Sequence, residues 1–301
     1  MSKLRGEFHL RVINAETSEL RDERRFDNLI VDVGLERWAR GWPNAANFVC
    51  VVGTGNSAPL PSNSALDNRV ASVDIVVSSG GAKGAPNYEV YQRFTGRFPA
   101  GTFNGTNLSE IGIMHNGGVL LWCRQLILDE HGNPSTITVL QNEYLDVSYT
   151  LYDYPNLQDV PFSFEMDGVM YNCVSRCAEA GRFHVSVTGG NYLFYNQAPQ
   201  TQTYYATQTL GDITSRPAGT SVSGYLQGSH LAWDAAKPYT RTYELVIPQN
   251  TGNVSGGIGS IFLVDFYGPH ARQISFDPVL PKDANTQITL IFSNTVSRYT
   301  P

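Results

Sequence analysis

Charge is scarce in this sequence. Lys, Arg, Asp and Glu make up 16% of its 301 residues, and the net charge is −6. A nucleic-acid-binding chain shows a basic field or stripe, and none is present. The one basic cluster, residues 21–25, carries its own acids and reads as a solvated turn. Long apolar runs are missing, which excludes a membrane-crossing helix, and the opening MSKLRGEFHL lacks the apolar stretch of a secretory signal. Synthesis in a cytoplasm is the expectation, with no membrane insertion. Cysteine is scarce too. Cys50, Cys123, Cys173 and Cys177 are too few for a disulfide framework and suit free thiols in a reducing compartment. Helical periodicity is confined to one convincing stretch.

What the chain has in quantity is 28 Gly, 16 Pro, 16 Tyr and 14 Phe. Aromatics and turn formers at low charge describe short strands joined by loops. They also describe surfaces that pack against partners, because interface cores lose charge and gain aromatics. A chain of this length can bury ~75% of its unfolded surface, so it needs neither disulfides nor metals to hold a core. Alternation of apolar and polar residues recurs from residue 8 to residue 293, and Asn-Gly and Gly-Asn pairs mark turns. The fold class expected is all-β, with two β-sandwich-like modules. Tyr154-Pro155-Asn156 is the boundary candidate, which gives modules of residues 1–153 and 154–301. Within the second, Val169–Ala178 is a candidate short helix, since Cys173 and Cys177 have helical spacing.

The halves look related, which raises a tandem duplication. Tyr91 and Arg93 return as Tyr239 and Arg241, Ile111 and Ile113 as Ile261 and Leu263, and Val147, Tyr149 and Leu151 as Ile288, Leu290 and Phe292.

The notable helix is expected at residues 31–41. Leu35, Trp38, Ala39 and Trp42 fall at i, i+3, i+4 and i+7 on one face, which reads as core packing. Asp32 is placed to cap the start, and Gly41 and Pro43 to end it.

The same stretch carries a resemblance. Phe26, Asn28, Leu29, Ile30, Gly34 and Leu35 are followed by Val52, Gly53, Gly55 and Pro59, a run of Asn-Leu-Ile, Gly-Leu and Val-Gly-Thr-Gly. A later echo runs from Leu126 to Val139 and on to Val147. The pattern resembles tail-associated proteins of tailed bacteriophages and covers about the first half. The resemblance implies a non-enzymatic virion structural protein of the tail tip, baseplate or tail fibre, assembled in the host bacterial cytoplasm beside other virion tail proteins. It marks Asn28, Gly34, Leu35, Gly53 and Gly55 as structural motif residues, to which the helix face adds Trp38 and Trp42. It also implies a homo-oligomer, with three-fold arrangement the first expectation.

Chemical sites are weakly signalled. Gly53-Thr54-Gly55 follows a strand, but the next residues form a Pro-containing loop where phosphate binding needs a helix start. Cys173 and Cys177 have only His184 nearby as a further zinc ligand. There is no Gly-x-Ser-x-Gly elbow and no His-Glu-x-x-His, so no catalytic, cofactor or metal residue is assigned. Glu143, Asp146, Asp153 and Asp159 cluster in sequence, which keeps a polysaccharide-degrading tail enzyme as a lesser alternative. The stronger alternative is a host-receptor module for surface glycan. Tyr192, Tyr195, Tyr204 and Tyr205 lie among Asn and Gln, side chains that can stack on sugars and bond their hydroxyls.

Overall fold

The computed structural model describes residues 2–40, 48–115, 119–182, 202–224, 227–264 and 271–300. Trp42, Tyr192, Tyr195 and the Asn116 turn lie outside them. The described chain is all-β with one helix.

In the first half the elements are β1 (Ser2–Asn14), β2 (Leu20–Ile30), α1 (Asp32–Ala39), β3 (Val49–Gly53), β4 (Arg69–Asp74), β5 (Val76–Ala82), β6 (Val90–Phe98), β7 (Thr106–Leu108), β8 (Glu110–His115), β9 (Leu120–Leu126), β10 (Ile137–Val139) and β11 (Glu143–Tyr154). The second half contains β12 (Val160–Met166), β13 (Val169–Ala178), β14 (Gln202–Tyr205), β15 (Ser221–Gly224), β16 (Gln227–His230), β17 (Thr240–Ile247), β18 (Ile258–Val264), β19 (Ala271–Leu280) and β20 (Ile288–Arg298).

Strand pairing repeats between the halves. In the first, β1–β2, β2–β9, β9–β8, β8–β3, β3–β4, β5–β6 and β6–β11 pair antiparallel. In the second, β12–β13, β13–β19, β19–β18, β18–β14, β14–β15, β16–β17 and β17–β20 pair antiparallel in the same order. The duplicated plan is therefore present at the level of topology. Not every matched residue is equivalent, however. Tyr149 pairs with Phe94 and Leu290 with Leu245, which sets β6 against β17 three residues away from the Tyr-x-Arg match. An odd shift reverses the face of a strand. Accordingly Arg93 is exposed on β6, whereas Arg241 is buried on β17.

Each half is a sandwich around its own core. In the first, Phe8, Leu10 and Val12 of β1 join Phe94, Phe98, Val147, Tyr149 and Leu151, facing Cys50, Val52, Ile111, Ile113 and Trp122 of the opposite sheet. Rings meet across the layers, with Phe48 5.3 Å from Phe94 and Trp122 Nε1 donating to the Tyr149 hydroxyl at 3.0 Å. The second core gathers Tyr204, Leu245, Ile247, Ile261, Leu263, Ile274, Phe276 and Leu290.

Two pairings of the first half have no counterpart among the described residues, the short β7–β10 pair and that of β1 with β11. β1 runs along β11 from Lys3↔Tyr154 to Asn14↔Glu143 and closes that sandwich edge to edge. Among the described residues, β12 and β20 do not pair. Instead the end of β20 runs parallel to β1 over Ser2–Leu4, Val296 enters the first core, and Tyr299 stacks on Tyr154 at 4.6 Å.

Two local expectations are corrected. Val169–Ala178 is a strand, because β12 and β19 take both of its edges and Val169, Tyr171 and Val174 favour extended backbone. Asp32 does not cap the helix. Val31 stands at that position without a side-chain cap, and the Asp32 carboxylate receives Arg298 of β20 instead.

Candidate functional site

The motif residues converge on two neighbouring places, a helix seat and a loop clasp. The seat is built on β9. The backbone N–H of Val31 donates to the Trp122 carbonyl at 3.1 Å, and Gly34 lies so close to that carbonyl that a Cβ would collide with it. Glycine lowers helix propensity, so its place inside an eight-residue helix reflects this approach. Leu35 and Trp38 are buried, and Trp38 lies 6.3 Å from Trp122. Asn28 plays a related part on β2. Its amide lies over Gly6 of β1, where a Cβ would overlap both Asn28 and the Tyr149 hydroxyl. The helix also binds the second half, since Arg298 Nε donates to the Ile30 carbonyl at 2.6 Å and the Arg40 guanidinium sits 3.6 Å over Trp233.

The clasp folds residues 54–68 onto the outer side of β8 and β9. At its centre, the fully buried Glu110 accepts from the backbone N–H of Gly55 at 3.0 Å, Asp67 at 3.1 Å and Asn68 at 2.8 Å. Arg124, also fully buried, meets Glu110 at 2.9 Å and Asp67 at 2.7 Å, and donates to Asn63 and Ser57. Gly53 and Gly55 are glycines for a steric reason, as a Cβ at either would strike Glu110. Beneath the loop Val49, Val51, Leu66, Met114 and Leu121 form a small apolar cluster. Sequence reading found the two glycines but missed Glu110, Arg124 and Asp67. The available signal was a lone charge inside each of two apolar strands.

The second half repeats the device with a neutral residue. Arg124 pairs with Gly112 and Gln273 with Phe262 at matching ladder positions. Gln273 is fully buried and holds residues 211–215, accepting from Gly211 N–H at 2.8 Å and donating to the carbonyls of Gly211 and Asp212 at 2.9 and 3.1 Å.

Asp67 gives the clasp a pH dependence. Hydrogen bonds from the Ser57 hydroxyl and backbone N–H, then Arg124, hold its carboxyl below the ordinary value. A carboxylate depressed in the folded state contributes stability above its unfolded pKa of about 3.9 and loses it as pH falls through the folded one. The protection of the Gly55 and Ser57 amides, relative to their intrinsic exchange at each pH, should therefore hold down to about pH 4 and fall below it, ahead of global unfolding. Uniform protection down to the global acid transition would refute this.

The tyrosine surface proposed from sequence is not open where it is described. Tyr204 is fully buried in the second core, and Tyr205 is buried against Ala178, Phe262 and Ala271. Both serve packing. Three acids of the 143–159 cluster are engaged singly: Glu143 with Arg21, Asp146 with Arg97 and Asp159 with Arg176. Cys173 and Cys177 are buried free thiols, and burial raises Cys173 to about 11. Among the described residues, no group of three or more His, Cys, Asp or Glu is placed to hold a metal ion.

No family model, curated protein or solved structure matches the chain.

Proposed function

We propose that this chain is a building block of a larger assembly, and specifically a non-enzymatic virion protein of a tailed bacteriophage. Its place would be the tail tip, baseplate or tail fibre, beside other tail proteins and in several symmetric copies. The observation that carries the reading is what the motif residues do. Asn28, Gly34, Leu35, Trp38, Gly53 and Gly55 all serve close approach or burial, and none presents a reactive group to solvent. A motif spent on seating a helix and clasping a loop suits a scaffold. The repeated pairing plan supports the same reading, since it supplies two similar modules joined by a shared strand pair. The burial of Tyr204 and Tyr205 removes much of the support for the glycan-binding alternative.

The test is immunogold labelling of purified phage particles with an antibody to this chain. Gold is expected at the tail, in a number that follows the particle's symmetry. A chain abundant in infected cells but absent from finished particles would overturn the proposal.

A further inference from the structure

Independently of that reading, the outer face of the first sandwich carries an arginine-lined cradle. Phe8, Leu10, Phe94 and Val147 of β1, β6 and β11 point into the core, so the residues alternating with them face out. Register aligns those outward residues in rows across the three strands. One row is His9, Ser148 and Thr95, and the next is Arg11, Asp146 and Arg97. Arg93 stands on the other side of the hydroxyl row, beside Thr150. Together with nearby backbone they line an open cavity of about 540 Å³, inside the ~300–1,000 Å³ range of ligand pockets.

The lining is positive in a chain that is negative overall. Three guanidiniums meet one carboxylate, an excess of two charges with His9 counted as neutral, against a net −6 for the molecule. Arg97 is held in place, since it donates to Asp146 at 2.6 and 2.9 Å and lies 3.8 Å over the Tyr144 ring. Arg93 is anchored by its Nε, which donates to the buried Thr150 hydroxyl at 3.3 Å and leaves the outer edge of its fork for another acceptor. Arg11 is exposed, and the acid across from it on β2, Glu23, is hydrogen-bonded to His9 at 2.5 Å. Guanidinium forks around hydroxyl donors are the set that a tetrahedral oxyanion needs. A phosphate group carries about −1.5 to −2 charges at neutral pH, which matches the excess.

We propose that this cradle binds a phosphate group, seated over Ser148 and Thr95 and clamped by Arg93 on one side and by Arg11 and Arg97 on the other. The group is the free ion or the monoester of a small molecule, and the same donors serve both. Two of the three clamps are fixed before the ligand arrives, which lowers the ordering cost of binding.

The test titrates the full, isotope-labelled chain with inorganic phosphate and, separately, with glycerol 3-phosphate. Sodium chloride holds the ionic strength constant, because salt screens an exposed site. The NMR signals of backbone amides in residues 93–97 and 146–148 should shift in a saturable way, with half-saturation at millimolar concentration or below. Arg11→Gln and Arg93→Gln, both at exposed positions, should each weaken binding roughly tenfold, as loss of a charge-assisted hydrogen bond does, and leave the melting temperature unchanged. Arg25→Gln, on the same sheet but outside the cradle, should leave binding as it is. Binding of both ligands supports a phosphate ester as the natural occupant, and binding of inorganic phosphate alone supports the free ion. The proposal is overturned if neither ligand gives a saturable shift. It is equally overturned if Arg25→Gln weakens binding as much as Arg93→Gln, since the attraction would then be diffuse.

Discussion

Replacing Glu110 by leucine should lower stability by ~3–5 kcal/mol, the usual cost of breaking a buried ion pair from one side. The change strands Arg124, which is fully buried and keeps only Asp67 as a charged partner. It also removes the acceptor for the N–H groups of Gly55, Asp67 and Asn68. At roughly 2–4 °C per kcal/mol for a unit of this size, the melting temperature should fall by about 6–20 °C. The informative comparison is the double variant with Arg124→Met. A buried pair replaced on both sides by apolar groups is often near neutral, so part of the loss should return. The three backbone donors stay unpaired in either case, which keeps the recovery incomplete. Urea midpoints at unchanged slope are the measurement. A loss in the double variant equal to the sum of the Glu110→Leu and Arg124→Met losses would mean that Glu110 and Arg124 are not energetically coupled.

Trp122→Ala should cost ~3–5 kcal/mol, as large aromatic truncations in a core do. The ring is fully buried, lies 6.1 Å from Phe48 and 6.3 Å from Trp38, and gives its N–H to Tyr149. Its backbone carbonyl, which receives Val31, survives the substitution. The helix should consequently stay attached at its start while Trp38 loses its neighbour. A red-shifted tryptophan emission should accompany the drop in urea midpoint. A loss under ~1 kcal/mol would show that the seat collapses around the gap.

Alternation made most strands legible, because one buried face per strand imposes a two-residue period on the side chains. The single helix was legible from four apolar residues on one face, and the structure seats Leu35 and Trp38 as that stripe requires. Val169–Ala178 was misread because its cysteines satisfy helical spacing, while the partners that make it a strand, β12 and β19, are separate in sequence. The clasp was illegible for a similar reason. Glu110 and Arg124 are fourteen residues apart, and their partners Ser57, Asn63 and Asp67 come from a loop that looks merely polar. Only the fold brings them together. The repeat was visible as matched strands, but its register needed the ladder, since Arg93 and Arg241 point to opposite sides.

The parallel contact of β20 with β1 carries a consequence for the order of events at the ribosome. Among the described residues every other strand partner of the first module lies within the first half, so that module can assemble as soon as β11 emerges. The filling of the Val296 seat and the pairing of Lys3 with Ser297 must then wait for the whole second half. At roughly 5–20 residues per second, the delay is on the order of ten to thirty seconds. Throughout that interval the nascent chain presents an apolar notch beside an unfinished strand edge, the kind of surface that is prone to wrong association until the last strand arrives.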